Sequence, residues 1–223
     1  AVERMSHSER MTLCNMAVEM GAKTAYIQPD HKVLEFLQGR VEPNWTVYRS
    51  DPEYEYHESF HFDVNRLSPQ VAVPHSVDAV YPIDQMKGVS VDQLFIGTCT
   101  NGRLEDIAMA SQILRGRRVS SRCRLIIAPA SNEVMLAAVR NGYVEALIES
   151  GATFTTPGCG PCLGAHQGVL APGEVGVTTS SRNFPGRMGS KEASIYITSP
   201  ATAAATALEG CIVDPRDFLP TDL

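Results

Sequence analysis

The sequence has little of what a membrane, nucleic-acid-binding or secreted protein needs. No apolar run approaches the roughly eighteen residues of a membrane-spanning helix. Basic residues are the minority: 19 Lys and Arg stand against 25 Asp and Glu, a formal net charge of -6. Scattered cations in an acidic chain do not make the basic stripe that grips a phosphate backbone. The opening Ala1-Val2-Glu3-Arg4 carries no signal-peptide pattern. Six cysteines spread over 223 residues are too sparse for a secreted disulfide scaffold. These absences point to a reducing, cytoplasmic compartment, where cysteines are buried, catalytic or metal-binding. Internal repeats and low-complexity tracts are also missing. What remains is ordinary globular composition, 43% hydrophobic and 20% charged, in a length that fits one large domain or a domain plus a fragment.

The first third of the chain reads unevenly. Ser8-Glu9-Arg10 leads into a run that is apolar at helical spacing up to Met20 and stops at Gly21, which predicts a helix over about residues 9–20. Thr24 to Ile27 reads as a short strand, Lys32 to Gln38 as a second helix ended by Gly39, and Tyr54 to His57 as an exposed strand. Residues 43–70 are otherwise rich in Tyr, Asp, Glu and His with little period, and Pro69 and Pro74 read as a linker or a crossing between domains.

From about residue 90 the pattern becomes regular. Strands are predicted over Gln93–Thr98, Arg124–Ala128, Val175–Thr179 and Ile195–Thr198. Helices are predicted over Leu104–Leu114, from Ser131 to about Ser150, and after the Ser199-Pro200 cap to Glu209. Strand–helix alternation implies a mostly parallel sheet covered by helices, an α/β fold. Ligands in such sheets sit at the carboxyl ends of strands, and Cys99 stands at one.

The richest chemistry lies in Pro157-Gly158-Cys159-Gly160-Pro161-Cys162. Two cysteines at this spacing can face one metal centre while glycines let the backbone bend around it. Three readings compete. A thioredoxin-type dithiol shares the Cys-Gly-Pro-Cys tetrapeptide, but Gly158 stands where Trp is usual and the following residues are broken by glycines. A structural zinc site needs four ligands, with Cys99 and either His166 or Cys123 completing the pair, but no second Cys-x-x-Cys is present. A [4Fe–4S] cluster on three thiolates leaves one iron open to substrate. Cys14, Cys123 and Cys211 read as small buried hydrophobes, and His166 as a residue beside the cysteine loop.

The ordered motifs resemble the aconitase superfamily. They are Gly97-Thr98-Cys99-Thr100-Asn101 with Arg103, the Cys159/Cys162 segment, and Ser181-Arg182-Asn183-Phe184 with Gly186-Arg187. Arg10 to Glu19, Pro74-His75-Ser76-Val77-Asp78 and Ser199 to Ala204 extend the resemblance over nearly the whole chain. Within the superfamily the chain is most similar to large subunits of the 3-isopropylmalate dehydratase and homoaconitase branch. The resemblance implies that Cys99, Cys159 and Cys162 hold a [4Fe–4S] cluster and that Arg182 and Arg187 bind substrate carboxylates. It implies that Glu19 sits near the open iron with Asn15 on the same helix, where a four-residue spacing shares one face. Ser181 stands where the family usually has Asn, and no role is assigned to it.

The implied activity is a hydro-lyase step on 2- and 3-hydroxy di- or tricarboxylates. Isopropylmalate isomerisation in leucine biosynthesis is the first expectation and a homoaconitase step the second. A non-catalytic Fe–S, zinc or thiol redox module is the competing class. Since the family's large subunit is about twice this length, the expected partners are its N-terminal half and a small, swivelling-domain subunit, with no nucleic acid and no membrane. The expected architecture is the end of a second α/β domain over residues 1–70 and a three-layer α/β/α cluster domain over residues 71–223.

Overall fold

The computed structural model describes residues 1–42 and 44–219. It separates into two compact units, Ala1–Leu67 and Ser68–Leu223.

The first unit is built on helix caps. Helix α1 (His7–Met16) starts at Ser6 in a reciprocal capping box: the Ser6 hydroxyl accepts from Glu9 N at 3.1 Å and the Glu9 carboxylate accepts from Ser6 N at 2.7 Å. The chain then tightens into a 3-10 turn, Ala17–Met20, and leaves through Gly21. Helix α2 (His31–Leu37) is capped by Asp30, which accepts from Lys32 N. Arg10 ties these pieces together. Its guanidinium donates to Asp30 at 2.7 Å and to the carbonyls of Val2 and Glu3. Lys32 Nζ donates to the carbonyls of Glu3, Arg4 and Met5. Among the described residues of this unit only Arg10 and Ala17 are buried.

Two expectations for this unit are corrected. Thr24–Ile27 and Tyr54–His57 do not form strands, and no strand occurs among the unit's described residues. A strand is stable only when a neighbour completes its ladder, and the unit supplies none.

The second unit is a seven-stranded sheet. Its elements in order are β1 (Gln70–Ala72), β2 (Val80–Pro82), β3 (Gln93–Gly97), α3 (Thr98–Asn101), α4 (Leu104–Leu114), β4 (Arg124–Ala128), α5 (Asn132–Arg140), α6 (Tyr143–Glu149), β5 (Thr153–Phe154), β6 (Val175–Thr178), β7 (Ser194–Ile197) and α7 (Pro200–Glu209). The spatial order is β2-β1-β7-β6-β3-β4-β5. Strands β7, β6, β3, β4 and β5 run parallel, while β1 pairs antiparallel with β2 and β7. The mostly parallel α/β sheet expected from the sequence is what forms. The prolines at 69 and 74 flank strand β1 rather than an open linker. The helix predicted to run to Ser150 is two helices. Gly142 adopts a left-handed φ of 69° and ends the first before Tyr143 begins the second.

Strand alternation sorts the core into two faces. Leu94, Ile96, Leu125, Ile127 and Val177 point to one, where Ile107, Ile113, Leu147 and Ala203 come from the helices α4, α6 and α7. Phe95, Ile126, Ala128 and Ile195 point to the other, where Cys162, Leu170 and Met188 come from loops. Most of these side chains are fully buried, each contributing about 1.5–3 kcal/mol. The loop-covered face is closed by backbone-to-backbone packing. A Cβ at Gly164 would stand 2.8 Å from Gly189 N, and one at Gly189 would stand 2.4 Å from the Leu170 carbonyl. No described helix is long and apolar enough to cross a membrane.

Candidate functional site

Strand order creates a switch point. From β3 the chain moves outward to β4 and β5, then crosses back to β6 and β7 on the other side of β3. The crevice beyond the carboxyl ends of β3 and β6 is where such sheets place ligands. Cys99 follows β3, Arg182 and Arg187 follow β6, and Cys159 and Cys162 follow β5. Because these strands are parallel, all five residues leave the same edge of the sheet.

Cys99 sits on the four-residue helix α3 and its residue is exposed. Three contacts fix that turn. Gly97 N donates to Thr179 Oγ1 at 3.0 Å, Thr179 N donates to the Phe95 carbonyl at 3.0 Å, and Asn101 Nδ2 donates to the Thr179 carbonyl at 2.9 Å. Arg103 Nη2 donates to the Cys99 carbonyl at 2.8 Å while the Arg103 amide donates to Asp106, at the start of α4. Thr98 precedes Cys99 with φ 69°, the one non-glycine residue at positive φ among those described. It is buried, and its Oγ1 has no hydrogen-bond partner among the described residues. A β-branched residue in the left-handed region is strained, and such strain collects at functional turns.

Cys159 caps one 3-10 turn, Gly160–Leu163, and Cys162 lies within it, its N donating to the Cys159 carbonyl at 2.8 Å. Cys159 is exposed and Cys162 is buried against Phe95 and Ile126. The His166 ring lies over Gly160, with Cε1 3.4 Å from the position a Cβ would take. Arg187 Nη2 donates to Cys162 Sγ at 3.4 Å, and its guanidinium carbon lies 5.7 Å from the Phe184 ring centroid. This Arg–sulfur bond adds a side-chain link between the loops after β5 and β6.

The loop after β6 is anchored by Asn183, fully buried, whose Nδ2 donates to the carbonyls of Val73 and Ser76 at 2.8 and 3.2 Å. In the same turn the Ser76 hydroxyl bonds Asp78 and holds its carboxyl below the usual range. Asn183 lay inside a motif, but nothing in its sequence context marks it as the bolt for a turn more than a hundred residues earlier.

The other expected residues fall elsewhere. Asn15 lies on α1 and Glu19 on the 3-10 turn that follows, both half-buried in the first unit. The one α-helical face inferred from their spacing is not formed, since α1 ends at Met16. Cys123 donates its thiol toward the carbonyls of Ser120 and Ala207, and burial pushes it up to about 11. Cys14, Cys123 and Cys211, expected to be buried, are only half-buried.

Among the described residues no three His, Cys, Asp or Glu side chains are grouped as ligands of a single metal ion. Cys99 is thus not at single-ion spacing with the pair. One zinc would draw its sulfurs to about 2.3 Å from a common point. A cubane attaches each thiolate to its own iron and spans more widely. Three thiols on one sheet edge, one of them taking a guanidinium N–H on sulfur, are soft donors of the kind that hold zinc or an iron–sulfur cluster.

A family model described as Aconitase family (aconitate hydratase) matches residues 1–210. The chain is 56% identical over 217 residues to a probable methanogen homoaconitase large subunit of Methanosarcina mazei, covering 97% of this chain and 54% of that protein. It is 51% identical over 218 residues to 3-isopropylmalate dehydratase large subunit 1 of Methanopyrus kandleri, covering 98% and 52%. It is 49% identical over 216 residues to the homoaconitase large subunit of Thermus thermophilus, covering 97% and 50%. The chain spans about half the length of these curated relatives. A match running almost end to end, together with the motifs around Cys99, Cys159 and Arg182, makes this chain a member of the aconitase family.

Proposed function

We propose that this chain carries the cluster-binding part of a hydro-lyase that interconverts 2- and 3-hydroxy carboxylic acids. The observation that supports it most is the switch-point edge, where Cys99, Cys159, Cys162, Arg182 and Arg187 leave parallel strands together and Arg187 touches Cys162. Cys99, Cys159 and Cys162 would hold a [4Fe–4S] cluster. When bound, such a group supplies a Lewis-acidic iron without a protein ligand, able to polarise a hydroxyl and a carboxylate.

The chain's own residues supply recognition. Arg182 and Arg187 present guanidinium forks that match carboxylates in pairs and hold a dianionic acid in one orientation. Thr179 and Arg103 brace the turn that carries Cys99, and the buried Asn183 fixes the loop that carries both arginines. The resemblance alone assigns catalytic roles to Glu19 and Asn15, which belong to the first unit. It likewise supports residues 1–70 as the end of a second α/β domain, the remaining half of the large subunit and a small subunit as partners, and a cytoplasmic setting.

3-Isopropylmalate, in leucine biosynthesis, is the first substrate reading. The hydroxy tricarboxylic acid of a homoaconitase step is the second, favoured by relatives named homoaconitase at 56% and 49% identity. The test is anaerobic reconstitution with iron and sulfide, then assay of both acids with the partner pieces added. Uptake of about four irons per chain, with turnover of either acid, supports the proposal. Stoichiometric zinc and no iron would sink it.

A further inference from the structure

The Arg187–Cys162 bond does something substrate binding does not require. Arg187 is fixed from three sides. Its amide donates to the Phe184 carbonyl at 3.1 Å, its guanidinium lies over the Phe184 ring, and Nη2 reaches Cys162 Sγ. Its Nε is buried and has no partner among the described residues. The two loops that carry the pair cannot slide apart, because Gly164 and Gly189 pack backbone against backbone. Leu170 N donating to the Met188 carbonyl at 2.8 Å, and Ser190 N to the Leu170 carbonyl at 2.9 Å, lock the same seam. The N–H···S contact is therefore a built feature of the fold rather than a chance pose of a long side chain.

We infer that Arg187 is a positioning residue for Cys162: its N–H···S bond orients this sulfur and draws electron density from it toward the guanidinium. The inference rests on the cluster reading above. Donors to ligand sulfurs are a main control on how an iron–sulfur centre is held and tuned. A guanidinium has five N–H donors, so one spent on sulfur leaves the others for a carboxylate. Arg187 thus couples the cluster's hold on Cys162 to the substrate's hold on Arg187.

The experiment uses the full chain and the variants Arg187→Lys, Arg187→Gln and Phe184→Leu, each reconstituted anaerobically. Iron and sulfide per chain, the rate of iron loss to a chelator, and the Fe–S(Cys) stretches by resonance Raman in H2O and D2O are read. Arg187→Gln is expected to lose iron roughly tenfold faster and to lose the D2O sensitivity of one Fe–S(Cys) band. Arg187→Lys, which keeps a cationic donor, restores part of both, and Phe184→Leu falls between. Circular dichroism checks folding; if the Gln chain does not fold, the Lys and Leu chains decide. A merely structural Arg187 would leave the D2O-sensitive band in place. Variants with wild-type retention and bands overturn the inference alone, whereas a wild-type chain that takes up no iron overturns the cluster reading and the inference with it.

Discussion

The two units are held by different physics. The second has a continuous apolar core on both sheet faces, with Leu94, Phe95, Ile96 and Ile127 fully buried. The first buries only Arg10 and Ala17 among its described residues, and leaves Met20, Tyr48, Phe60 and Phe62 mostly exposed. Its ties include two helix caps, the Arg10–Asp30 ion pair and the three carbonyls on Lys32. Burial of area accumulates over many contacts and survives the loss of any one. Charge-based ties are few, and each is sensitive to solvent conditions.

The largest test of this contrast is a pair of truncations. Ile96→Ala in the sheet core should cost about 3–4 kcal/mol in denaturant unfolding. Leu34→Ala in α2, already part-exposed, should change stability by no more than ~0.5 kcal/mol. Comparable losses at both positions would erase the distinction.

Next in size is Asn183→Ala, which removes two hydrogen bonds from a fully buried amide to the part-exposed Val73 and Ser76 carbonyls and should cost about 1–2 kcal/mol by the same measurement. Cleavage of the 182–187 loop by protease should also rise; an unchanged digestion pattern would show that the loop has other anchors.

Thr98→Gly should go the other way. Relief of the left-handed strain, less the entropy glycine gains when unfolded, leaves a gain of about 0.5–1 kcal/mol. Iron retention after reconstitution should fall, because the turn that aims Cys99 loosens. A destabilised glycine variant would mean that Thr98 is not strained there.

The smallest effect at neutral pH concerns the ion pairs. Arg10 holds the Asp30 carboxyl at about 2, below its usual range, and Arg216 holds Asp214 at about 2 in the second unit. A depressed carboxyl stabilises the fold above its ordinary pKa near ~4 and loses that contribution as pH falls through its folded value. Acidification from pH ~4 toward ~2 should therefore release the first unit, while the apolar core keeps the second together. Trp45, the only tryptophan, reports on the first unit alone. Its fluorescence should change before amide exchange in β3 and β4 does. Simultaneous loss would show that both units depend on the same ties.

The parts of the fold that were legible in the sequence are those whose signal is local. Leu104–Leu114, Arg124–Ala128 and the Ser199-capped α7 carry their periodicity and caps within a dozen residues. The short strands β1, β2 and β5 were not legible, because two or three residues hold no period and gain their state only from a neighbour's ladder. The strands expected at Thr24 and Tyr54 failed for the converse reason: suitable residues found no partner. In the site, the cysteines and arginines stood out by type and motif. The left-handed Thr98, the Thr179 brace and the Asn183 bolt did not, since each is defined by a backbone angle or by a carbonyl far away in sequence.

Taken alone, the order of residues determined the alternating α/β pattern, the family motifs and the set of thiols and guanidiniums available for chemistry. Side-chain type and short-range period are properties of the chain itself. Only the tertiary structure decided that β6 returns beside β3, which brings the Arg187 loop onto Cys162, and that the Cys123 thiol faces the Ser120 and Ala207 carbonyls. Those outcomes depend on which strands share hydrogen bonds and which backbones can approach at glycine, and such choices are made between distant segments when the core closes.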